Sequence, residues 1–228
     1  MPLLERAVIL AAGLGTRLKW LTQNHPKALM PVAGAPAIVH VIRNLAAQGV
    51  RDIAVNVHHH ADVLMQTLGD GSRYGVRLYF SVEASLLDSG GGVRKAMQLL
   101  PGDGLLAVHN ADALCRMDVR RLARLCPASG CAIGLAENPA HHAAGDFSLC
   151  SGLVMNSGEP RFTFSGVSVW DADALASYQS GQVFSLVQPI RQLIESSLCS
   201  GYVYRGPWFD IGRPADLMRA RRQWGIEG

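Results

Sequence analysis

Apolar and polar residues alternate along the first half of the chain in two recurring patterns. Continuous apolar segments predict strands at residues 6–11, 52–57, 76–82 and 105–110. Apolar residues at helical spacing predict a helix that begins after Pro36 and ends near Gly49, and further helices at 61–68 and 93–100. Because strand and helix alternate, we expect right-handed β-α-β units and a ligand crevice at the carboxyl ends of the strands.

The second half has shorter and less regular elements. Its pattern predicts strands near 146–149, 162–170, 201–206 and 208–212, and helices near 171–178, 187–196 and 214–223. We expect these elements to form a smaller antiparallel lobe on the substrate side of the same core. The predicted fold is therefore α/β: a doubly wound, mostly parallel, Rossmann-like sheet with helices on both faces, together with this lobe.

Composition narrows the class of protein. The chain has 228 residues, 49% of them hydrophobic and 17% charged, which suits one compact domain. A net charge of +3 with scattered Lys and Arg residues disfavours nucleic acid as a partner. We see neither a secretory signal nor an apolar run of ~20 residues, so we expect a soluble, cytoplasmic monomer or homodimer without a membrane partner. Five cysteines without a CxxC pair are typical of reduced, structural thiols rather than of a zinc site.

A loop rich in glycine follows the first predicted strand. It contains Gly13, Gly15, Thr16 and Arg17, with Lys27 a short distance downstream. Glycines let backbone N–H groups converge on an anion, and phosphate is the expected ligand. A dinucleotide fingerprint would need a third glycine and a P-loop would need Gly-Lys-Ser/Thr, and neither is present. On the glycines alone, an ordinary turn after a strand is the favoured interpretation.

The wider sequence around this loop is more specific. The segments LAAGLGTRL (10–18) and PKALMPVAG (26–34) are followed in order by GGG (90–92), by Asn-Ala-Asp at 110–112 and by WFDIG (208–212). This series resembles the signature of the sugar-nucleotide pyrophosphorylases, a nucleotidyltransferase family, over nearly the whole chain. The short length and the segments at 137–149 and 164–169 are most similar to the single-domain uridylyltransferases that act on N-acetylmuramic acid 1-phosphate.

The resemblance implies a reaction and a domain organisation. A sugar 1-phosphate, here N-acetylmuramic acid 1-phosphate, would attack UTP with Mg²⁺ as cofactor, giving a UDP-sugar and pyrophosphate for cell-wall sugar recycling. The chain would be one nucleotidyltransferase domain (1–228) with a nucleotide-binding half (1–137) and a sugar-binding half (138–228). Three alternatives stay open: transfer to glucose or mannose 1-phosphate, transfer to phosphocholine, and a non-catalytic module that only binds nucleotide sugars.

This reaction depends on stabilisation of negative charge more than on a general base. A phosphate monoester has a second pKa of about 6, so the nucleophile is already largely deprotonated at neutral pH. Arg17 would clamp the β and γ phosphates and Lys27 would bind the α phosphate, which makes them the catalytic candidates. By resemblance, Asp112 and Asp210 would hold Mg²⁺. The remaining candidates around the phosphates are Ala11, Ala12, Gly13, Gly15, Thr16 and Asn110.

Base and sugar contacts are the finer candidates. By resemblance, Glu83 would accept the imino N–H of uracil, and Ser89 and the Gly90 backbone in a turn at 86–92 would meet its carbonyls. Guanine also offers an imino N–H, so UTP and GTP both stay possible. Sugar contacts are expected from Asn138, Asp146 and Ser165, although Phe164 stands where many relatives have asparagine. Adjacent histidines at 58–60 and 141–142 are expected to be solvated, the second pair with a possible place in the pocket.

Overall fold

The computed structural model describes residues 4–18 and 25–225, which form a nine-stranded sheet, two short strand pairs and six α-helices. The strands are β1 (Arg6–Leu10), β2 (Pro31–Val32), β3 (Ala35–Pro36), β4 (Asp52–Val57), β5 (Arg77–Val82), β6 (Leu105–Asn110), β7 (Ala113–Cys115), β8 (Cys131–Ala136), β9 (Phe147–Cys150), β10 (Leu153–Met155), β11 (Arg161–Asp171), β12 (Cys199–Val203) and β13 (Trp208–Asp210). The helices are α1 (Ala37–Ala47), α2 (Ala61–Leu68), α3 (Asp88–Ala96), α4 (Val119–Leu125), α5 (Val187–Glu195) and α6 (Pro214–Gln223).

The sheet reverses its winding direction at β1. Its strand order is β5-β4-β1-β6-β11-β8-β12-β10-β9, and β1 pairs in parallel with β4 on one side and with β6 on the other. In open α/β sheets such a switch point opens a crevice at the carboxyl ends of the strands. The predicted doubly wound sheet is confirmed, and the loops after β1 and β6 both lie at this crevice.

The second half of the chain extends the same sheet. The long strand β11 runs antiparallel to β6 and β8, whereas β8 and β12 are parallel, so the predicted lobe is not wholly antiparallel. The register of β11 shifts between Phe164 and Ser168, where Gly166 has φ +80°. A bulge of this kind bends a strand, and the part of β11 before the bulge also pairs with β9. One sheet thus runs through both halves, and their functional division at residue 137 stays a prediction.

Helices cover both faces of the sheet. Side chains alternate along β1, with Ile9 in the core under α1, α2 and α4, and Val8 in the core under α3 and α5. This alternation explains why the strand is apolar at every position from Ala7 to Leu10. A third, smaller core joins α6 to β13, β7 and β2. No helix in the described ranges is long and apolar enough to cross a membrane.

The main departure from the predicted elements concerns the glycine triplet at 90–92. Helix α3 begins at Asp88 rather than at residue 93, so the triplet is helical and not a turn. A Cβ at Gly90 would lie 2.3 Å from the Phe184 ring and one at Gly91 would lie 2.2 Å from the Gln182 carbonyl oxygen. The glycines therefore serve close packing of α3 rather than backbone freedom. The predicted helix at 171–178 is a short 3-10 turn, and β2, β3, β7, β8, β10 and α4 were not predicted.

Candidate active site

Two adjoining cavities open at the carboxyl ends of β1 and β6. The first, of about 740 Å³, is lined by the glycine-rich loop, including Gly13, Gly15 and Thr16. The second, of about 340 Å³, lies beside β11. Three predicted site residues line both cavities: Arg17, Asn110 and Asp112. The structure thus brings most of the predicted phosphate-binding residues to one crevice, although 19–24 in the same loop lie outside the described residues.

Two loop amides are already occupied. The side-chain oxygen of Asn56 accepts hydrogen bonds from the N–H groups of Ala11 at 2.6 Å and Ala12 at 3.3 Å. These amides are therefore not the free phosphate donors that the glycine-rich loop suggested, although both residues line the first cavity. Asn56 itself was missed. Its only signal was a polar side chain inside the otherwise apolar interior of β4, where buried polar groups need partners.

Asn56 continues the network to Glu83. Its Nδ2 donates to Glu83 Oε1 at 2.8 Å, and Glu83 Oε2 accepts from the Leu87 N–H at 3.0 Å. Glu83 is 3% exposed, and a Cβ at Gly92 would lie 2.5 Å from Asn56 Nδ2, so only glycine lets α3 approach this pair. Each Glu83 oxygen already accepts one protein hydrogen bond. To contact a base as predicted, Glu83 would have to use the second lone pair of one of these two oxygens.

The N-terminus of α3 carries the other two predicted base contacts. The Gly90 N–H donates to the Phe184 carbonyl at 2.9 Å, so the predicted contact between the Gly90 backbone and a base stays a prediction and would require this hydrogen bond to open. Ser89 does line the first cavity, and its Oγ accepts from the Leu186 N–H at 2.9 Å. The segment 184–186 therefore fixes the start of this helix.

Exposed apolar side chains line the first cavity. Leu14, Leu86 and Val183 are 45%, 39% and 64% exposed, and all three line it. Flat apolar surfaces suit the faces of a planar base. Leu86 falls within the turn predicted to contact the base, but Leu14 and Val183 were missed because an isolated apolar residue in a loop carries no periodic signal.

Four charged side chains meet between the two cavities. The Lys27 ammonium forms an ion pair with the Asp112 carboxylate, and their side chains are 12% and 22% exposed. Strand β13 pairs with β7 so that Asp210 lies opposite Ala113, and the Ile211 N–H donates to the Asp112 carbonyl at 3.0 Å. The two distant aspartates are therefore adjacent, as the resemblance implied.

Asp210 lies among these charges. Burial raises the pKa of the Asp210 carboxyl, and the negative charge of Asp112 raises it further, while Lys27 and Arg17 act in the opposite direction. A Cβ at Gly212 would lie 3.0 Å from Arg17 Nη2 and 3.1 Å from Asp210 Oδ1. Because Gly212 has no side chain, the Arg17 guanidinium and the Asp210 carboxylate can both lie beside it. We name Arg17, Lys27, Asp112 and Asp210 the charge cluster.

The charge cluster has a donor set that suits Mg²⁺. Among the described residues, no group of three or more His, Cys, Asp or Glu side chains could hold a metal, which leaves the aspartate pair. Mg²⁺ is commonly bound by one or two carboxylates together with substrate phosphates and waters. Two half-buried, mutually repelling carboxylates between the two cavities fit that pattern.

Asn138, a predicted sugar contact, is hydrogen-bonded within the protein. Its Nδ2 donates to the carbonyls of Ala143 and Arg161, both at 3.0 Å. Its Oδ1 accepts from Thr163 Oγ1 at 2.9 Å. With its polar atoms bonded inside the protein, Asn138 ties the loop after β8 to β11 and lines neither of the two cavities. This geometry does not favour a direct sugar contact, which stays a prediction.

The side chains of Asp146 and Ser165 are likewise hydrogen-bonded within the protein. Asp146 Oδ1 lies 2.9 Å from His142 Nε2, and its Oδ2 accepts from the Phe164 N–H at 2.8 Å. Ser165 is buried and its Oγ donates to the Gly134 carbonyl at 2.7 Å. Ser165 lines the second cavity but Asp146 does not. Their polar groups are thus occupied by protein partners, whereas His142, which Asp146 holds, does line the cavity.

Comparison with known proteins agrees with this geometry. Residues 6–142 match the family described as nucleotidyl transferase. The chain is 34% identical over 224 residues to N-acetylmuramate alpha-1-phosphate uridylyltransferase from Neisseria meningitidis serogroup B, covering 95% of this chain and 96% of that protein. A protein of the same name from Caulobacter vibrioides is 33% identical over 94% of each chain. HddC from Yersinia pseudotuberculosis, solved with GMP-PN, shares the fold with a TM-score of 0.76 at 22% identity, over 96% of this chain and 99% of that one. The chain belongs to the nucleotidyl transferase family.

Proposed function

We propose that this protein is a Mg²⁺-dependent uridylyltransferase that joins UTP to N-acetylmuramic acid 1-phosphate, releasing pyrophosphate. The observation that carries the proposal is the charge cluster, which lies where two cavities adjoin. The relatives from Neisseria meningitidis and Caulobacter vibrioides support the choice of base and sugar.

The two cavities suit two substrates. The first has the volume for a nucleoside triphosphate, with apolar residues and Ser89 for the base and the glycine-rich loop for the phosphates. The second would take the sugar. A phosphate oxygen of the sugar 1-phosphate attacks the α-phosphorus, and the bond from that phosphorus to the bridging oxygen breaks, its electron pair leaving with pyrophosphate. No proton has to be removed first, so positioning and charge stabilisation supply the catalysis.

The charge cluster provides that stabilisation. Arg17 would grip the β and γ phosphates through its planar donors, and Lys27 would neutralise charge on the α-phosphate. Asp112 and Asp210 would hold Mg²⁺, which when bound offsets the phosphate charge. Burial raises the pKa of Asp210 most and the negative charge of Asp112 raises it further, and a divalent cation would offset both effects.

The free thiols support a reducing compartment. The five cysteines form an odd set without a CxxC pair, a usage that is typical of cytosolic proteins. We place the reaction in the cytoplasm, in recycling of cell-wall sugars, with the protein acting as a monomer or homodimer.

The test is pyrophosphate release from the purified chain over a panel of substrates. UTP and GTP are each paired with N-acetylmuramic acid, glucose and mannose 1-phosphates and with phosphocholine. We expect the highest kcat/KM with UTP and N-acetylmuramic acid 1-phosphate. Preference for GTP with mannose 1-phosphate would overturn the proposal. Tight calorimetric binding of a UDP-sugar without turnover of any acceptor would identify a non-catalytic module instead.

A further inference from the structure

A histidine side chain continues the pairing of β4 and β5 beyond the last strand residues. The two strands pair up to Val57 and Val82, and the next N–H, that of Glu83, donates to the Val57 carbonyl at 2.8 Å. His58 Nδ1 lies 2.8 Å from the Glu83 carbonyl oxygen. Because a carbonyl oxygen only accepts, Nδ1 is the donor in this hydrogen bond. His58 is therefore half-buried and bonded to the backbone, whereas the adjacent histidines of this segment were expected to be solvated.

This hydrogen bond gives every polar atom of Glu83 a partner within the protein. Its N–H and its carbonyl are held by Val57 and His58, and its two carboxylate oxygens accept from Asn56 and from the Leu87 N–H. The side chain is buried and lines the first cavity, and none of the ion pairs among the described residues includes it. A buried carboxylate that is fixed at both ends and faces no cation suits a neutral N–H donor from a ligand.

His58 contacts Glu83 at the point where the chain leaves the sheet. Residues 84–87, which follow Glu83 and lead to α3, belong to no helix or strand. They include Leu86, which is exposed and lines the first cavity. The peptide group after Glu83 is planar, so its orientation depends on the ψ angle of Glu83, and the hydrogen bond to His58 fixes that orientation. Without this bond the peptide group can rotate, and the positions of the carboxylate and of Leu86 become less defined.

We propose that His58 is a positioning residue for recognition of the nucleobase: by holding the Glu83 carbonyl, it keeps the Glu83 carboxylate oriented to accept the imino N–H of the base. The inference rests on the proposed function and on the base contact predicted for Glu83, and it adds a residue that does not itself line the first cavity. Uracil and guanine carry an imino N–H, whereas cytosine and adenine do not. The proposal therefore predicts which nucleotides lose affinity when His58 is replaced.

Calorimetric binding of UTP, GTP, CTP and ATP to the purified chain, with Mg²⁺ and without acceptor, tests this pattern. The wild type should bind UTP most tightly. His58→Ala should weaken binding of UTP and GTP by about 3- to 10-fold, the loss expected for one neutral hydrogen bond, and leave CTP and ATP within about twofold. A general loss of structure would instead weaken all four nucleotides alike.

Two further variants separate the hydrogen bond from the shape of the side chain. His58→Asn retains an amide donor as many bonds from Cβ as Nδ1 is, so its affinity for UTP should stay within about twofold of the wild type. His58→Phe keeps a ring without the donor and should repeat the selective loss, which provides the test if the alanine variant does not fold. His59→Ala is the matched control, because His59 is exposed and its ring contacts His60; all four affinities should equal those of the wild type.

The possible results separate the positioning role from the proposed function. Equal weakening of all four nucleotides in His58→Ala, no weakening of any, or an asparagine variant as weak as the alanine variant would overturn the inference. A wild type that prefers GTP, with the same selective loss in His58→Ala, would reject the proposed base while supporting the positioning role. A wild type that does not distinguish bases with an imino N–H from the others would overturn the Glu83 contact and the inference together, whereas the pyrophosphate assay tests the transfer separately.

Discussion

Replacing Asn56 with alanine tests whether the buried network beneath the first cavity shapes the loop above it. The change removes the acceptor for the Ala11 and Ala12 N–H groups and the donor to Glu83. A buried polar group without a partner costs about 1–3 kcal/mol. The Ala12 bond is long at 3.3 Å and water can reach the half-buried Ala11, so we expect the free energy of unfolding to fall by about 2–4 kcal/mol.

The assay combines urea unfolding with UTP kinetics. The KM for UTP should rise along with the loss of stability, because the loop amides and Glu83 lose their common support. Asn156→Ala is the control, since Asn156 is exposed and its loss should change stability by less than about 0.5 kcal/mol. Unchanged stability and unchanged KM in Asn56→Ala would refute the reasoning.

A charge exchange sharpens this test. Asn56→Asp keeps an acceptor for the two amides but sets a second carboxylate against Glu83 Oε1, so it should destabilise the fold. Adding Glu83→Gln restores an amide-to-carboxylate hydrogen bond in the reversed direction and keeps an acceptor for the Leu87 N–H. We expect the double variant to recover most of the lost stability. If the stability losses of the single variants Asn56→Asp and Glu83→Gln simply add up in the double variant, the two side chains are not coupled.

Three further predictions concern catalysis, packing and pH. Lys27→Ala should lower kcat by about 100-fold or more in the pyrophosphate assay with little change in Tm, because it removes charge stabilisation at the reacting phosphate; a full rate would contradict this role. Gly91→Ala should lower the free energy of unfolding by about 1–3 kcal/mol in urea unfolding, since its Cβ would lie 2.2 Å from the Gln182 carbonyl; unchanged stability would contradict the packing argument. Burial lowers the pKa of His109 from 6.5 to about 4, so the unfolded chain binds the extra proton first and stability should fall by up to roughly 3 kcal/mol as the pH drops from 6.5 to 4. His109→Gln should flatten that part of the stability curve, and an unaltered slope would assign the pH dependence to other groups.

The regular elements were predictable where one physical signal dominated. The strands at 52–57 and 105–110 and the helices at 61–68 and 214–223 have the predicted bounds. The sequence signal is clear for strands that are buried on both faces. It is also clear for helices that end at a glycine or begin with a proline. The triplet at 90–92 misled because glycine signals both turns and close packing. Only the tertiary contacts of Phe184 and Gln182 decide between the two.

The proximity of Asp112 and Asp210 was expected, but which other polar side chains are bonded within the protein was not predictable. The adjacency of Asp112 and Asp210 depends on β7 and β13, which have three residues each and are too short to carry a periodic signal; only the family resemblance pointed to it. Asn138 and Asp146 were plausible ligands by residue type. Whether a polar atom is free for a substrate depends on partners distant in sequence, such as Arg161 for Asn138.

The central claim is that the charge cluster performs the transfer, and Asp210→Asn tests it most directly. The variant keeps an oxygen that can accept from the Gly212 N–H, which lies 3.1 Å from Asp210 Oδ1, and removes a charge that burial and Asp112 disfavour. Its Tm should therefore be at least that of the wild type. Its rate of pyrophosphate release from UTP and N-acetylmuramic acid 1-phosphate should fall by about 100-fold or more. A rate close to that of the wild type, measured on the folded variant, would contradict the claim.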